Sequence, residues 1–187
     1  MSHRPTDDRR RLPRLAPVVY RGLAFVHWSM PMEHRATGWL DPVHHARIRE
    51  YLCHALARYD IVCPAYCLMT DHGHFLWVGI SDESDQRKAA KLFREAWNTA
   101  LSGVGVALQR QAHDHVLREH ERERGAFVAI AHYIFGNPVR AGLVGQWRAY
   151  PFLGALVPGY PGVDPREEDF WEKFWRIYAR LIEPSHS

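Results

Sequence analysis

The sequence contains few cysteines, few lysines and no long apolar run, and each shortage excludes a class of protein. Three cysteines among 187 residues are too few for a disulfide framework. No stretch reaches the ~18 apolar residues that span a bilayer, and no apolar run follows the charged N-terminus as it would in a secretory signal. We therefore expect a soluble, cytoplasmic protein.

The cysteines leave one alternative open. Cys63 and Cys67 lie four residues apart in an apolar run, which predicts that they share one face of a strand and could form half of a metal site. Zinc fingers need a second Cys/His pair at a fixed spacing, and none accompanies these two. We therefore interpret Cys53, Cys63 and Cys67 as reduced, buried thiols.

The shortage of lysine shifts the basic charge to arginine. Of the 24 basic residues, 21 are arginine and only three are lysine. Arginine suits bidentate contacts to phosphate, so this bias favours a nucleic-acid partner, although a GC-rich genome produces the same bias. The charge is uneven, because six arginines against two aspartates give residues 1–21 a net +4, whereas four bases against six acids give residues 164–187 a net −2.

The length predicts one domain with two appendages. Residues 1–16 contain Pro5 and Pro13 and are expected to form a basic extended arm. Residues 17–155 are expected to form the domain, and residues 156–187 a turn region and an amphipathic aromatic helix that packs on it. Self-association through this helix is the alternative.

The order of predicted elements indicates the fold class. Hydrophobic periodicity predicts β-α-β-β-α-β, with strands at 17–28, 61–69, 72–79 and 106–109 and helices at 42–59 and 85–100. This order is typical of an α+β, ferredoxin-like fold, an antiparallel sheet with helices on one face. A third helix is predicted over 122–136. On the second helix Arg87, Lys91 and Arg94 form a basic stripe, either a solvated face or a phosphate-facing surface.

Two short motifs could carry chemistry. His72 and His74 alternate with Gly73 on a predicted strand, so both imidazoles should project from one face of the sheet as a metal-ligand pair. About 60 residues later, Tyr133 and Asn137 lie one helical turn apart at the flank of an apolar stripe. Taken alone, each motif is more typical of ordinary packing.

Taken together and in this order, the segments YCLMTDHGHFLWVG, QAHDHVLRE, HYIFGNPVRAGLV and AYPFLGA resemble the IS200-like single-tyrosine (HUH) transposases. The resemblance covers residues 17–155 and is strongest to the branch associated with bacterial repetitive palindromic (REP) elements. It implies a ferredoxin-like fold and a single-stranded or hairpin DNA substrate in a cytoplasmic, nucleoid-associated setting. Both monomers and homodimers are compatible with it.

The resemblance also implies roles for residues. His72 and His74 would bind Mg²⁺ or Mn²⁺, Asn137 would complete the metal site, and Tyr133 would attack DNA to give a 5′-phosphotyrosine. Apart from the resemblance, Arg140 after the Asn-Pro turn is either a candidate for phosphate contact or a simple helix-terminal charge. The family has a hydrophobic residue where this chain has Gly73, and a glycine there could mark a β-bulge that separates the two imidazoles.

Several readings remain open at this stage. Asp71 could orient a histidine or simply serve the turn. His113, Asp114 and His115 follow the fourth predicted strand and could approach the site, but we expect them to lie in a solvated loop. The resemblance implies DNA nicking and strand transfer. A non-catalytic nucleic-acid-binding relative is the alternative, and a His-x-His metal hydrolase with water as nucleophile is a third.

Overall fold

Five antiparallel strands form one open sheet in the computed structural model, which describes residues 15–183. The strands are β1 (Phe25–Pro31), β2 (Ile61–Met69), β3 (His72–Gly79), β4 (His113–Val116) and β5 (Leu153–Leu156), in the spatial order β4-β1-β3-β2-β5. The first four strands have the ferredoxin-like order, and β5 extends the sheet beside β2. The predicted α+β, ferredoxin-like class is confirmed.

The described part of the chain also forms six α-helices. They are α1 (Pro42–Arg58), α2 (Gln86–Ser102), α3 (Glu119–Arg122), α4 (Arg124–Phe135), α5 (Asn137–Arg140) and α6 (Phe170–Ile182). The carboxylates of Asp41 and Asp85 accept backbone N–H bonds at the starts of α1 and α2, which is why these helices begin where the sequence predicts. Within residues 15–183 no helix is both long and apolar enough to cross a membrane.

The sheet separates two hydrophobic cores. On one face α1 and α2 pack over Phe75 and Trp77 of β3. On the other face α4 and α6 pack over Leu76 and Val78, the alternate residues of the same strand. Because β3 is central and covered on both sides, its side chains have fixed directions, and the face of each residue follows from its parity.

Two predicted strands are misplaced. Pro17 starts a 3₁₀ turn (Pro17–Tyr20) and Gly22 has φ +63°, so the first strand begins only at Phe25. Residues 106–109 make only an isolated bridge, between Met32 and Leu108. The fourth strand is instead β4, whose polar residues have no apolar alternation to reveal it. The arm predicted over 1–16 lies almost entirely outside the described residues.

The shared face predicted for Cys63 and Cys67 is wrong. The pairing register of β2 shifts between Val62 and Ala65 against β3, so one residue is inserted and the parity reverses. Cys63 therefore packs in the core under α1 and α2, and Cys67 in the core under α4. Burial raises the pKa of the Cys67 thiol to about 12, in keeping with a reduced, inert thiol.

Candidate active site

β3 places His72 and His74 on the face that α4 covers. The register runs without interruption from His72 opposite Pro31 to His74 opposite Ser29, so Gly73 forms no bulge. A β-carbon on Gly73 would lie 2.9 Å from the ring of Phe75 and 3.0 Å from that of Trp97. The glycine therefore makes room for two core aromatics and leaves the shared face of the histidines intact.

The two imidazoles meet through their Nε2 atoms. His72 Nε2 and His74 Nε2 are 3.1 Å apart, and the ring planes are perpendicular. His72 Nδ1 lies 2.6 Å from Asp71 Oδ1, so the aspartate accepts from this nitrogen and Nε2 is the ring nitrogen left to bind a metal ion. Of the two roles considered for Asp71, the structure thus shows the histidine contact.

Arg35 fixes Asp71 from the other side. Its Nε lies 2.8 Å from Asp71 Oδ2. His34 and Arg35 both have positive φ, +53° and +56°, a conformation that costs non-glycine residues free energy. This short 3₁₀ segment (Glu33–Arg35) after β1 thus holds a strained backbone at the point where it delivers a guanidinium to Asp71.

His27 is a site residue that the sequence did not reveal. It lies on β1, and its Nε2 is 3.2 Å from His74 Nδ1. Burial is the main cause that lowers the pKa of His74 to about 3 and that of His27 to about 4, so both rings are neutral near pH 7. The β1 pairing places His27 beside His74, a relation between strands that no spacing in the sequence encodes.

The pair of Nε2 atoms fits a metal ion. Metal–imidazole bonds of about 2.1 Å at a right angle would hold two nitrogens about 3.0 Å apart, which is close to the observed separation. Neutral imidazoles are also the protonation state that binds metal. In residues 15–183 no three His, Cys, Asp or Glu side chains are grouped for a metal, so a third protein ligand would have to be of another type, such as an amide.

Tyr133, Asn137 and Arg140 form a second group at the end of α4. Tyr133 is exposed, and the guanidinium of Arg140 lies 4.1 Å from the centre of its ring. Asn137 does not continue α4, because the helix ends at Phe135 and Asn137 starts α5. Its Nδ2 nevertheless donates to the carbonyl oxygens of Tyr133 and Ile134, which leaves Oδ1 as the atom able to bind a metal.

Arg140 links the two groups. Burial is the main cause that lowers the pKa of His74 and the charge of Arg140 adds to it, whereas at Cys67 the same charge partly offsets the rise in pKa that burial causes, so the guanidinium lies within electrostatic reach of both residues. Cys67 of β2 pairs directly with His74, and α5 packs on β2. The tyrosine group therefore lies on the same face of the sheet as the paired histidines.

The predicted basic stripe lies on the opposite face. Arg87, Lys91 and Arg94 line an open groove of about 680 Å³ between α2 and β4, together with Arg21 and Arg110. Arg94 donates to the carbonyl of Gln109 and Lys91 is 3.9 Å from Glu95, whereas the guanidinium of Arg87 covers Tyr20. The four candidates for DNA contact are thus divided between two faces, with only Arg140 beside Tyr133.

The loop predicted at His113–His115 is wrong, since these residues form edge strand β4. Its side chains alternate between the two faces, with Asp114 turned to Trp28 and accepting from Tyr20 Oη, 2.5 Å away. His115 lies directly opposite His27 and bonds Glu121. Tertiary pairing decided this strand, because its sequence is polar on both faces.

No protein-family model matches the sequence, and neither does any curated protein. Among solved structures, that of a REP-associated tyrosine transposase bound to a REP hairpin matches with a TM-score of 0.63 at 17% identity, over 76% of this chain and 81% of that one. A structure from Deinococcus radiodurans R1, described provisionally as a transposase, matches with a TM-score of 0.44 at 16% identity over 66% of this chain and 95% of that one. The chain therefore has the fold of the REP-associated tyrosine transposase.

Proposed function

We propose that this protein is a tyrosine transposase that nicks and rejoins single-stranded DNA beside a hairpin. The observation that carries the proposal is the placement of a converging imidazole pair, His72 and His74, on the sheet face that also bears Tyr133 and Arg140. The fold shared with a REP-associated tyrosine transposase supports it, and the hairpin bound by that protein suggests the substrate class.

The proposed metal site consists of His72, His74 and Asn137. Mg²⁺ or Mn²⁺ bound there would polarise the scissile phosphate and offset the charge that builds in the transition state. Asp71 orients His72, and Asn137 is anchored to the backbone of Tyr133, so the oxygen ligand and the nucleophile are fixed to one segment.

In the proposed reaction, the Tyr133 hydroxyl oxygen attacks the phosphorus of a DNA phosphodiester. The bond to the 3′-oxygen breaks, and the products are a 5′-phosphotyrosine and a strand with a free 3′-OH after proton transfer from the phenol to the leaving oxygen or solvent. Arg140 lies over the phenol ring, where its positive charge would stabilise the phenolate and the phosphate together. Because one phosphoester replaces another, the reverse attack by a 3′-OH rejoins strands without ATP.

The proposal is tested by covalent capture of a labelled single-stranded oligonucleotide carrying a REP-like hairpin, in the presence of Mn²⁺. Wild-type protein should form a labelled adduct that survives denaturation, and Tyr133→Phe should form none. Tyr51→Phe, on α1 across the sheet, is the matched control and should react like the wild type. Products cut without an adduct, or an unchanged adduct in Tyr133→Phe, would contradict the proposal.

Arg140 is tested in the same assay. Arg140→Gln should slow adduct formation by about tenfold or more, because it removes a charge beside the reacting oxygen. Arg148→Gln is the matched control, because the guanidinium of Arg148 also covers an aromatic ring and lies 4.6 Å from the centre of the Trp147 ring. Equal rates for the two variants would rule out a specific role for Arg140.

A second candidate function is hairpin binding without chemistry. The basic groove between α2 and β4 favours it, because its cations lie across the sheet from the histidines and could bind phosphate independently of them. Salt-dependent hairpin binding that is unchanged by Tyr133→Phe or by EDTA, with no adduct under any condition, would favour this candidate.

A further inference from the structure

The paired histidines belong to a longer row of contacts that crosses the sheet. His27 on β1 contacts His74 Nδ1, His74 contacts His72 through the two Nε2 atoms, and His72 contacts Asp71. We propose that His27 is a positioning residue for His74, and that it changes from hydrogen-bond donor to acceptor when a metal ion binds. The inference rests on the metal site proposed above.

When no metal ion is bound, the carboxylate of Asp71 would determine every proton position in this row. A carboxylate only accepts, so His72 Nδ1 carries a proton, and when the ring holds no second proton its Nε2 is an acceptor. Two lone pairs facing each other at 3.1 Å would repel, so His74 Nε2 carries the proton of its ring. His74 Nδ1 is then an acceptor, and His27 must donate to it from Nε2.

Metal binding would exchange the roles of the two ring nitrogens of His74. A metal ligand needs a lone pair, so the proton of His74 must leave Nε2 and occupy Nδ1. That N–H then points at His27 Nε2, 3.2 Å away, and His27 can accept it only if its own proton has moved to Nδ1. Each ring keeps one proton, so the exchange needs no net uptake or release.

Only a side chain that can both donate and accept satisfies both states. The amide of glutamine can do so by rotating, whereas leucine can do neither. With leucine at position 27, the Nδ1–H of metal-bound His74 would be enclosed beside an apolar side chain without a partner, which penalises the metal-bound state. Orienting partners of metal-bound histidines typically contribute about 10- to 100-fold in metal affinity.

The first test measures Mn²⁺ affinity of the intact protein by electron paramagnetic resonance. His27→Leu should weaken binding by about 10- to 100-fold. His27→Gln should stay within about threefold of wild type. His115→Leu is the matched control, because it removes the imidazole opposite His27 on the neighbouring strand, and it should also stay within about threefold. Equal weakening by His27→Leu and His115→Leu would overturn the inference.

The second test needs no variant. In ¹⁵N-histidine NMR spectra of the metal-free wild type, His74 and His27 should both be protonated at Nε2, and His72 at Nδ1. Saturating Mg²⁺ should move the protons of His74 and His27 to Nδ1. Metal binding that leaves the His27 tautomer unchanged overturns this inference alone, whereas a wild type that binds neither ion overturns the proposed metal site and this inference with it.

Discussion

At the scale of single residues, Gly73 lets the strand carry two histidines on one face while large aromatic rings pack against its other face. The histidines on either side of it face α4, whereas position 73 faces α2, where the rings of Phe75 and Trp97 approach within about 3 Å of any β-carbon. A hydrophobic side chain at position 73, which the resemblance described above would lead one to expect, would collide with these rings. The rings of Phe75 and Trp97 occupy the space that a side chain at position 73 would take, and the strand stays regular.

The first prediction follows from this packing. Gly73→Ala should lower the free energy of unfolding by about 1–3 kcal/mol, because the added methyl group forces aromatic rings in a filled core to move. Gly125→Ala is the matched control, since nothing lies within 4 Å of its β-carbon and it sits in α4, where alanine is favoured. Urea denaturation measures the free energy of unfolding of both variants. A Gly73→Ala variant as stable as the wild type would contradict the prediction, because it would show that the rings of Phe75 and Trp97 move without cost.

His45 provides a pH prediction away from the candidate site. It lies on α1, its Nε2 is 3.0 Å from Tyr66 Oη, and burial lowers its pKa to about 4. An unfolded histidine titrates near 6.5, so between pH 6.5 and 4 the unfolded state binds more protons and stability falls as the pH falls. The buried neutral ring thus contributes stability that is present above pH 6.5 and lost below it.

We therefore expect His45→Gln to flatten the fall in unfolding free energy between pH 6.5 and 4, by up to about 1.4 kcal/mol per pH unit. Urea denaturation at pH 7, 5.5 and 4.5 measures the slope. Tyr66→Phe removes the hydrogen-bond partner but no group that titrates in this range, so it should lower stability at every pH and keep the wild-type slope. An unchanged slope in His45→Gln would contradict the assignment.

At the scale of elements, α6 supports the helix that carries the tyrosine. Phe174 of α6 is buried against Phe127 of α4, and Trp171 and Trp175 pack around the same ring. The apolar stripe of the C-terminal helix lies against α4 in the same hydrophobic core. Because α4 rests on α6 as well as on the sheet, the position of Tyr133 depends on an element about 40 residues away.

Phe174→Ala should therefore lower the unfolding free energy by about 3–5 kcal/mol, through lost burial and a residual cavity. If the variant remains folded at low temperature, adduct formation should fall more than hairpin binding, because the tyrosine helix loosens while the basic groove does not. Glu172→Ala, an exposed change on the same helix, should stay within about 0.5 kcal/mol of wild type. Equal stability of the two variants would show that α6 is dispensable.

At the scale of the whole molecule, the candidate active site and the basic groove lie on opposite faces of the sheet. The histidines, Tyr133 and Arg140 lie on one face, and the groove lined by Arg87 and Lys91 on the other. DNA that engages both faces must pass around an edge of the sheet. Among residues 15–183, β4 has β1 as its only neighbour in the sheet; it borders the groove and also carries His115 toward the candidate site.

We expect the double variant Arg87→Gln/Lys91→Gln to weaken hairpin binding and to reduce the slope of log affinity against log salt by about two, one for each lost phosphate contact. Mn²⁺ affinity should not change, because the histidines are across the sheet. Arg176→Gln/Arg180→Gln, on exposed positions of α6, is the charge-matched control and should keep the wild-type slope. Identical slopes for the two double variants would exclude the groove as a DNA surface.

Local sequence patterns were sufficient to predict the elements that are defined by residues close together in the sequence. The helices α1 and α2 have aspartate caps and apolar periodicity, and the β2–β3 hairpin has apolar strands joined by a polar pair, so all four could be predicted nearly to the residue. The shared face of His72 and His74 followed from strand parity alone. The same parity argument predicted the wrong face for one of Cys63 and Cys67, because a shift in register depends on the partner strand, which the local sequence does not reveal.

The sequence by itself determined the fold class, the histidine pair and the proximity of Tyr133 to Asn137, since each depends on a short spacing and a local backbone geometry. Only the tertiary structure decided which strand is β4, that His27 lies beside His74, and that the basic stripe and the tyrosine occupy opposite faces. These features are contacts between segments far apart in the chain. Their energies come from burial and pairing in three dimensions, which no local pattern of residues encodes.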